Sequence, residues 1–314
     1  MPHDAHHHDH DHDHHDHQGH SHAPKDFGPS FAVGVGLNTG FVLIEGLVGL
    51  GSHSLALLAD AGHNLSDVMA LLIAWGAAVM ARRPPSARRT YGLRKGTILA
   101  SLGNAVLLLI AVGVIASESA RRLLEPTTIA TLPVMITAGI GVVINTATAL
   151  MFLRGQEDLN VRSAFLHMAT DAAVSLAVVA GAGVMMLTGG FVWLDPALSL
   201  IIAGVIVLGT WSLLRDSADL ALDAVPKSID VAAVHAWLAG RPGVTSVHDL
   251  HIWAMSTTET ALTVHLTRPE NTDPDTFLHD ACDGLAHRFH IGHCTLQIET
   301  GDATLCRLSP AETV

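Results

Sequence analysis

Long apolar runs alternate with short polar segments over the first two thirds of the chain. Hydropathy predicts six spans, each near or above the roughly 20 residues that cross the hydrocarbon core of a bilayer, at about residues 31–50, 55–80, 97–117, 131–153, 161–187 and 194–214. After Pro226 the pattern returns to the alternation of a soluble protein. The pattern therefore predicts a tail at residues 1–26, an all-α transmembrane domain at 27–216, a soluble domain at 217–302 and a second tail at 303–314.

The soluble region alternates between helical and strand periodicity. The predicted order is helix, strand, strand, helix, strand, at Ile229–Ala239, Val244–Trp253, Glu259–Thr267, Asp275–His290 and Cys294–Thr300. This αββαβ order predicts a small α+β sandwich with both helices on one face of the sheet.

The period of two along a strand predicts which polar side chains of the soluble region share the uncovered face of the sheet. Four residues fall on that face: Asp249, His251, His265 and Glu299. The same alternation places His248 on the face opposite His251, unless the strand starts after His248, so these two histidines need not bind the same ion.

Composition agrees with a membrane protein, because 49% of the residues are hydrophobic, 15% are charged and the mean hydropathy is +0.39. The net charge of -12 argues against nucleic-acid binding. Three cysteines in a predicted cytosolic domain suggest that no disulfide framework is present. The first 22 residues hold eleven histidines and five aspartates, and this tail is predicted to be disordered and to capture metal ions.

The basic loops predict the orientation in the membrane. The connection from Arg82 to Lys95 holds six Lys or Arg residues, whereas Gly51–Ser54 holds none. The positive-inside rule therefore places this loop, both termini and the soluble domain in the cytoplasm. Arg121 and Arg122 go against the rule on the outer side but are outnumbered.

Ionisable residues recur inside two predicted spans. His63 and Asp67 lie four residues apart in LLADAGHNLSDVM, and His167 and Asp171 repeat this spacing 104 residues later in FLHMATDAAV. A charge at the bilayer centre costs roughly 2.5–3.5 kcal/mol, so such residues usually have a function. Each repeat has three spans, which is an odd number, so the two repeats must have opposite orientations in the membrane. Such inverted repeats place a shared site near the middle of the membrane.

Two imidazoles and two carboxylates are a ligand set for tetrahedral Zn²⁺. Each ligand must lose its proton to bind metal, so protons and Zn²⁺ compete for one site. The sequence thus predicts a secondary transporter that exports Zn²⁺ from the cytosol in exchange for protons by alternating access. Asp60, one turn before His63, could orient that imidazole from outside the coordination sphere or form an acidic mouth to the pathway; it could equally be a hydrated carboxylate near the outer interface.

Two other function classes remain as alternatives. An intramembrane metal-dependent enzyme would need an open coordination position, which four protein ligands do not leave. A metal sensor would signal through the soluble domain without moving metal. We therefore predict that the protein is not an enzyme, and the lack of a GxxxxGK[ST] loop disfavours ATP-driven pumping.

Five motifs together resemble the cation diffusion facilitators, in particular their bacterial zinc-type branch: LLADAGHNLSD, SAFLHMATDA, VHDLHIW, ALTVHL and HCTLQIE. The resemblance implies a homodimeric metal–proton antiporter in the bacterial inner membrane, with metallochaperone-like cytosolic domains that draw together on binding zinc. It assigns the transported ion to His63, Asp67, His167 and Asp171. It also implies a preference for Zn²⁺, with Cd²⁺ or Co²⁺ as alternative ions.

The same resemblance implies a second metal site that stabilises the dimer. Its ligands are expected at His248, His265 and Glu299, and His251 is a further candidate from the strand pattern. In the alternative interpretation, these polar residues bind no metal and face solvent or the other protomer.

Overall fold

The computed structural model describes residues 29–81, 84–151, 159–270 and 273–301, together with Cys306 and Leu308. The His-rich tail at residues 1–26 and most of the tail at 303–314 lie outside the described residues.

Six long helices make up the first part of the described chain. They are α1 (Pro29–Ser52), α2 (Leu55–Ala81), α3 (Gly96–Leu124), α4 (Thr131–Met151), α5 (Leu159–Thr188) and α6 (Leu194–Ala221). All six are long and apolar enough to cross a membrane. Helix α3 ends just before Glu125 and Pro126, because the residue before a proline is disfavoured in the helical conformation.

The helix bundle is built around α2, which contacts α1, α3, α5 and α6, while α4 packs along α5 and α3 along α6. Small and branched residues fill its core: Leu57, Ala59, Leu108, Val112, Val134, Ala138, Val178, Ala182 and Ile206. Large apolar side chains such as Leu47, Leu107 and Leu208 face outward. An apolar exterior around a small-residue core is the expected arrangement for helices surrounded by lipid.

The soluble domain consists of α7 (Val231–Ala239), β1 (Ser246–Ala254), β2 (Thr260–Thr267), α8 (Pro274–Phe289) and β3 (His293–Glu299). The sheet order is β1-β2-β3, with β1 antiparallel and β3 parallel to β2. Its core joins residues of the helices and the sheet: Val234, Leu238, Ile252, Leu262, Val264, Leu266, Phe277 and Leu285. The predicted fold class, six membrane helices plus a small αββαβ domain, is confirmed.

A bulge in β1 corrects one prediction about the sheet. His248 pairs with His265 and His251 pairs with Thr263, so β1 has one residue more than β2 between these pairs. Asp249 takes a left-handed conformation within the bulge, with φ of 51°. Because directly paired residues share a face, His248 and His251 lie on the same face. The prediction of opposite faces was wrong because a bulge breaks the period of two.

A disulfide also departs from the sequence prediction. Cys282 on α8 and Cys294 on β3 are bonded, with their Cα atoms 6.1 Å apart. The expectation that no disulfide is present was wrong because the packing of α8 beside β3 brings together two cysteines that are 12 residues apart. Cys306 is a free thiol.

Thiol counting tests this pairing. We expect the unfolded, unreduced protein to react with one equivalent of a thiol reagent per chain, because Cys306 is the free cysteine of three. Reduction before the assay should raise the count to three. Three reactive thiols before reduction would contradict the disulfide.

A buried aspartate links α6 to the start of α2. The Asp195 carboxylate accepts hydrogen bonds from the Ser54 hydroxyl and from the backbone N–H groups of Leu55, at 2.8 Å, and Ala56, at 3.4 Å. These N–H groups belong to the first turn of α2, where no intrahelical acceptor is available. Asp195 therefore caps α2 from another helix.

Asp195→Ala is expected to destabilise the bundle by about 2–3 kcal/mol, because it removes a helix cap and leaves buried donors without an acceptor. The measurement is the thermal unfolding midpoint in detergent. Ser54→Ala removes one donor to Asp195 and the acceptor for the Leu57 N–H, but it keeps both backbone bonds to Asp195, so it should cost less. Equal midpoints for Asp195→Ala and the wild type would contradict the capping role.

Candidate metal centres

The two HxxxD pairs meet in the middle of the helix bundle. Helix α2 carries His63 and Asp67, and α5 carries His167 and Asp171. One ligand atom from each residue lies within 4.8 Å of the other three. The structure thus brings together all four residues that the sequence predicted for the transport site.

The closest contacts run between the two helices. His63 Nε2 lies 3.2 Å from Asp171 Oδ1, and His167 Nε2 lies 3.2 Å from Asp67 Oδ2. Within each helix the corresponding distances are longer, 3.9 Å for His63 to Asp67 and 3.6 Å for His167 to Asp171. Parallel helices in register would place histidine beside histidine. This cross-pairing is therefore the arrangement expected for two antiparallel helices with the same spacing.

The spacing of the ligand atoms suits a tetrahedral ion. Zn²⁺ binds nitrogen and oxygen at about 2.0–2.1 Å, which separates tetrahedral ligand atoms by about 3.3–3.4 Å. The four distances above, from 3.2 to 3.9 Å, bracket that value. Small side-chain adjustments would be enough to close the site around an ion.

The four ligands differ in exposure. The Asp171 side chain is 3% exposed, whereas those of His63, Asp67 and His167 are 29–39% exposed. One side of the site is therefore packed and the other is open. An ion could enter from the open side and still find Asp171 held in place by the bundle.

A second buried polar group lies beside the four His and Asp residues. Asp60 is 1% exposed and accepts a hydrogen bond from Ser175 of α5 at 3.0 Å. Glu45 of α1 is fully buried and accepts from Asn64 of α2 at 3.0 Å. Asp60 is not in the group of four ligand atoms. The burial of Asp60 argues against the interpretation of Asp60 as a hydrated carboxylate. Its hydrogen bond with Ser175 connects α2 to α5 next to the site.

The soluble domain holds another group of potential ligands, formed by His248, His265, Glu299 and Cys306. His248 Nε2 lies 3.2 Å from Glu299 Oε2, and His265 Nδ1 lies 3.2 Å from Glu299 Oε1. The two imidazole rings meet edge to face at 5.3 Å. Three of these residues were predicted from sequence, and the bulge in β1 is what turns His248 toward the other two.

The His248 ring is the clearest indication that this group binds an ion. Its side chain is 7% exposed. Nε2 contacts Glu299 Oε2 at 3.2 Å without hydrogen-bond geometry, and among the described residues Nδ1 has no hydrogen-bond partner. A buried polar atom without a partner is unfavourable unless a water or an ion satisfies it. A metal ion held between His248 and Glu299 would do so.

Cys306 is the potential ligand of this group that the sequence did not predict. Its Sγ lies 3.5 Å from His265 Nδ1. The pKa of the Cys306 thiol is raised: a backbone hydrogen bond from Leu308 lowers it, but partial burial and the adjacent Glu299 carboxylate outweigh that effect. The thiol therefore keeps its proton until a cation displaces it. The count of three cysteines gave no signal for this role.

Glu299 has the opposite tendency. Burial alone would raise the pKa of Glu299, but hydrogen bonds with Cys306 and Gln297 and the charges of His248 and His265 lower it overall. The carboxylate is therefore ionised and available to a cation at neutral pH.

His251 lies outside the second group. Its Nε2 contacts Asp249 Oδ1 at 2.9 Å, and its side chain is 43% exposed. Asp249 in turn lies 3.5 Å from His265 Nε2. His251 is thus connected to the group through Asp249, although it does not share the same ligand distances.

Two family models match consecutive parts of the chain. The model described as the cation efflux transmembrane domain matches residues 31–220, and the model described as the cation efflux protein, cytoplasmic domain, matches residues 226–301. The two matches together cover the helix bundle and the αββαβ domain.

Similar proteins include several named transporters. The metal cation efflux system protein CzcD of Cupriavidus metallidurans is 36% identical over 272 residues, which is 86% of both chains. Zinc transporter ZitB of Escherichia coli is 34% identical over 84% of this chain and 85% of its own. The cadmium, cobalt and zinc/H⁺–K⁺ antiporter of Bacillus subtilis is 30% identical over 86% of this chain and 89% of its own.

A solved structure matches the soluble domain. The metal-bound C-terminal domain of the CzcD transporter is 39% identical, with a TM-score of 0.22, and the match covers 23% of this chain and 99% of that one.

Proposed function

Because the chain belongs to the cation efflux family, the cation diffusion facilitators, we propose that it exports Zn²⁺ from the cytosol in exchange for protons. It is a multi-pass membrane protein and a cation efflux transporter of the zinc, cadmium and cobalt type. We propose that Zn²⁺ is the exported ion, that protons are exchanged for it, and that the four His and Asp residues of α2 and α5 bind both.

The observation that carries the proposal is the convergence of two imidazoles and two carboxylates from α2 and α5 at distances suited to tetrahedral Zn²⁺. These residues belong to the middle helices of two successive three-helix segments. Each segment thus contributes one His–Asp pair from its middle helix. This repeat supports alternating access, in which one segment moves against the other around a fixed site.

Protonation of the same four side chains supplies the exchange. A cation binds the neutral imidazoles and the ionised carboxylates, so its arrival from the cytosol releases any protons they hold. On the outer side, returning protons weaken the hold on Zn²⁺ and the ion leaves. The protonated site then returns toward the cytosol, because bound protons replace much of the charge that the metal supplied.

We further propose a homodimer whose cytosolic domains bind a second zinc ion at His248, His265, Glu299 and Cys306. The cytoplasmic-domain match supports this assignment, and so does the buried His248 ring, whose nitrogens make no hydrogen bond among the described residues. The basic loop before α3 supports an orientation with both termini in the cytoplasm, in the inner membrane of a bacterial cell. We retain the division into a membrane domain at residues 27–216 and a soluble domain at 217–302 as part of the proposal, with α6 continuing to Ala221.

Flux in proteoliposomes tests the proposal. We expect Zn²⁺ uptake to rise when the lumen is more acidic than the outside, because outward-moving protons would exchange for entering metal. A pH-sensitive dye in the lumen should report alkalinisation that starts with the addition of Zn²⁺. Zinc uptake that ignores an imposed pH gradient and moves no protons would overturn the proposed exchange.

A further inference from the structure

A basic pocket lies where the helix bundle meets the soluble domain. It is lined by Arg88, Arg89, Arg94 and Lys95 of the loop between α2 and α3 and by Trp253 and Met255 at the end of β1, and its volume is about 260 Å³. The chain as a whole carries a net charge of -12. The pocket is therefore a local concentration of positive charge on an otherwise acidic protein.

The four cations differ in how they are neutralised. Arg94 contacts Glu259 at 3.0 Å and Lys95 contacts Asp223 at 2.6 Å, so these two side chains join the loop to the rest of the protein. Arg88 and Arg89 are exposed, and within the described part of the chain neither has an acidic partner. The pocket thus holds two guanidinium groups that are available to an anion.

The position of the pocket points to the membrane surface. Lys95 directly precedes Gly96, the first residue of the membrane-spanning α3. Tyr91 and Leu93, between Arg89 and Arg94, are 49% and 38% exposed, and the Tyr91 ring packs edge to face on His293 at 5.5 Å. Amphipathic and apolar side chains of this kind anchor a loop at the level of the lipid headgroups, and basic pockets at that level attract anionic lipids.

We propose that this basic pocket binds the phosphate of an anionic phospholipid headgroup through Arg88 and Arg89. Guanidinium groups bind phosphate oxygens in a bidentate geometry. A water-sized group occupies about 30 Å³. The pocket volume of about 260 Å³ therefore has room for a phosphate and part of the attached glycerol. Trp253 and Met255 also line the pocket, so the bound lipid contacts both the loop and the soluble domain.

The test measures lipid retention by the full-length protein, so its result does not depend on zinc transport. The detergent-solubilised protein is incubated with equal amounts of phosphatidylglycerol and phosphatidylcholine, repurified, and analysed for bound lipid. We expect wild type to retain phosphatidylglycerol preferentially. The Arg88→Gln/Arg89→Gln variant should lose about fivefold per arginine removed, and added salt should weaken retention by the wild type.

A matched control removes two exposed arginines elsewhere. Arg215→Gln/Arg288→Gln changes the net charge by the same amount at positions outside the pocket, and it should retain lipid as the wild type does. Equal losses in both double variants would overturn the proposal, because general charge attraction would then explain the preference. Size-exclusion chromatography of each variant verifies that it is folded.

A second arm separates a lipid from a soluble anion. Inorganic phosphate at millimolar concentration should not displace phosphatidylglycerol, because it lacks the acyl chains that remain in the detergent micelle. If inorganic phosphate instead binds the wild type but not Arg88→Gln/Arg89→Gln, and no preference for phosphatidylglycerol is found, the pocket is a site for a soluble phosphate and the lipid assignment is wrong.

Discussion

Asp171→Asn is expected to abolish zinc transport and to reduce the zinc bound by the full-length protein by one ion per chain. The substitution keeps the size of a side chain that is 3% exposed, so the bundle should remain folded. It removes the negative charge that lies 3.2 Å from His63 and 3.6 Å from His167. Residues that only orient metal ligands cost about 10–100-fold in affinity when mutated, and the loss of a ligand should exceed that range.

Asp60→Asn provides a matched control for this substitution. Asp60 is 1% exposed, also lies on a helix of the quartet, and is hydrogen-bonded to Ser175 rather than placed among the four ligand atoms. We expect it to leave the zinc stoichiometry unchanged. If Asp60→Asn removes an ion and Asp171→Asn does not, the ligand assignment is wrong. Intact zinc flux in Asp171→Asn would instead favour a sensor that uses the site without moving metal.

The cluster of two histidines and two aspartates was predictable because the sequence pattern behind it is local and repeated. The i, i+4 spacing places His63 and Asp67 on one helical face, and the same spacing recurs at His167 and Asp171. The prediction of each pair depends only on the correct assignment of its own helix. The hydrophobic pattern that defines the six helices is also strong, because a membrane span tolerates few polar residues.

The features that the sequence did not reveal depend on contacts between distant elements. The bulge at Asp249 contains no glycine to mark its left-handed residue, so the period of two extends through β1 without interruption. Nothing near Asp195 indicates that it caps α2, since its partners are about 140 residues away. Glu45 is visible in the sequence as a carboxylate inside an apolar span, but its partner Asn64 is not.

The second large effect is expected at the potential metal site of the soluble domain. Its four residues lie on β1, β2, β3 and the segment after β3. We expect Glu299→Gln to lower the zinc affinity of this site by about 100-fold or more, since the Glu299 carboxylate contacts both His248 and His265 and is the one anionic ligand before metal binds. Isothermal titration of the full-length protein in an Asp171→Asn background removes zinc binding at the α2–α5 quartet. Comparison of the background with and without Glu299→Gln cancels the zinc bound by the His-rich tail.

His251→Ala is the matched control, because His251 lies on the same face of β1 but contacts Asp249 instead of the ligand group. It should change the zinc affinity by less than His248→Ala, which removes a side chain that is 7% exposed. If His251→Ala costs as much as His248→Ala, the ion is bound by Asp249 and His251 and the assignment of the ligand group is wrong.

Cys306 makes the same site distinguishable by spectroscopy. With Co²⁺ in place of Zn²⁺, a bound thiolate gives a near-ultraviolet charge-transfer band, which nitrogen and oxygen ligands lack. We expect this band in the wild type and its loss in Cys306→Ser, with weaker zinc binding, because a hydroxyl does not ionise to replace the thiolate. The Cys282–Cys294 disulfide supplies no thiolate, so a band that persists in Cys306→Ser would show that the disulfide is open and that its cysteines bind metal.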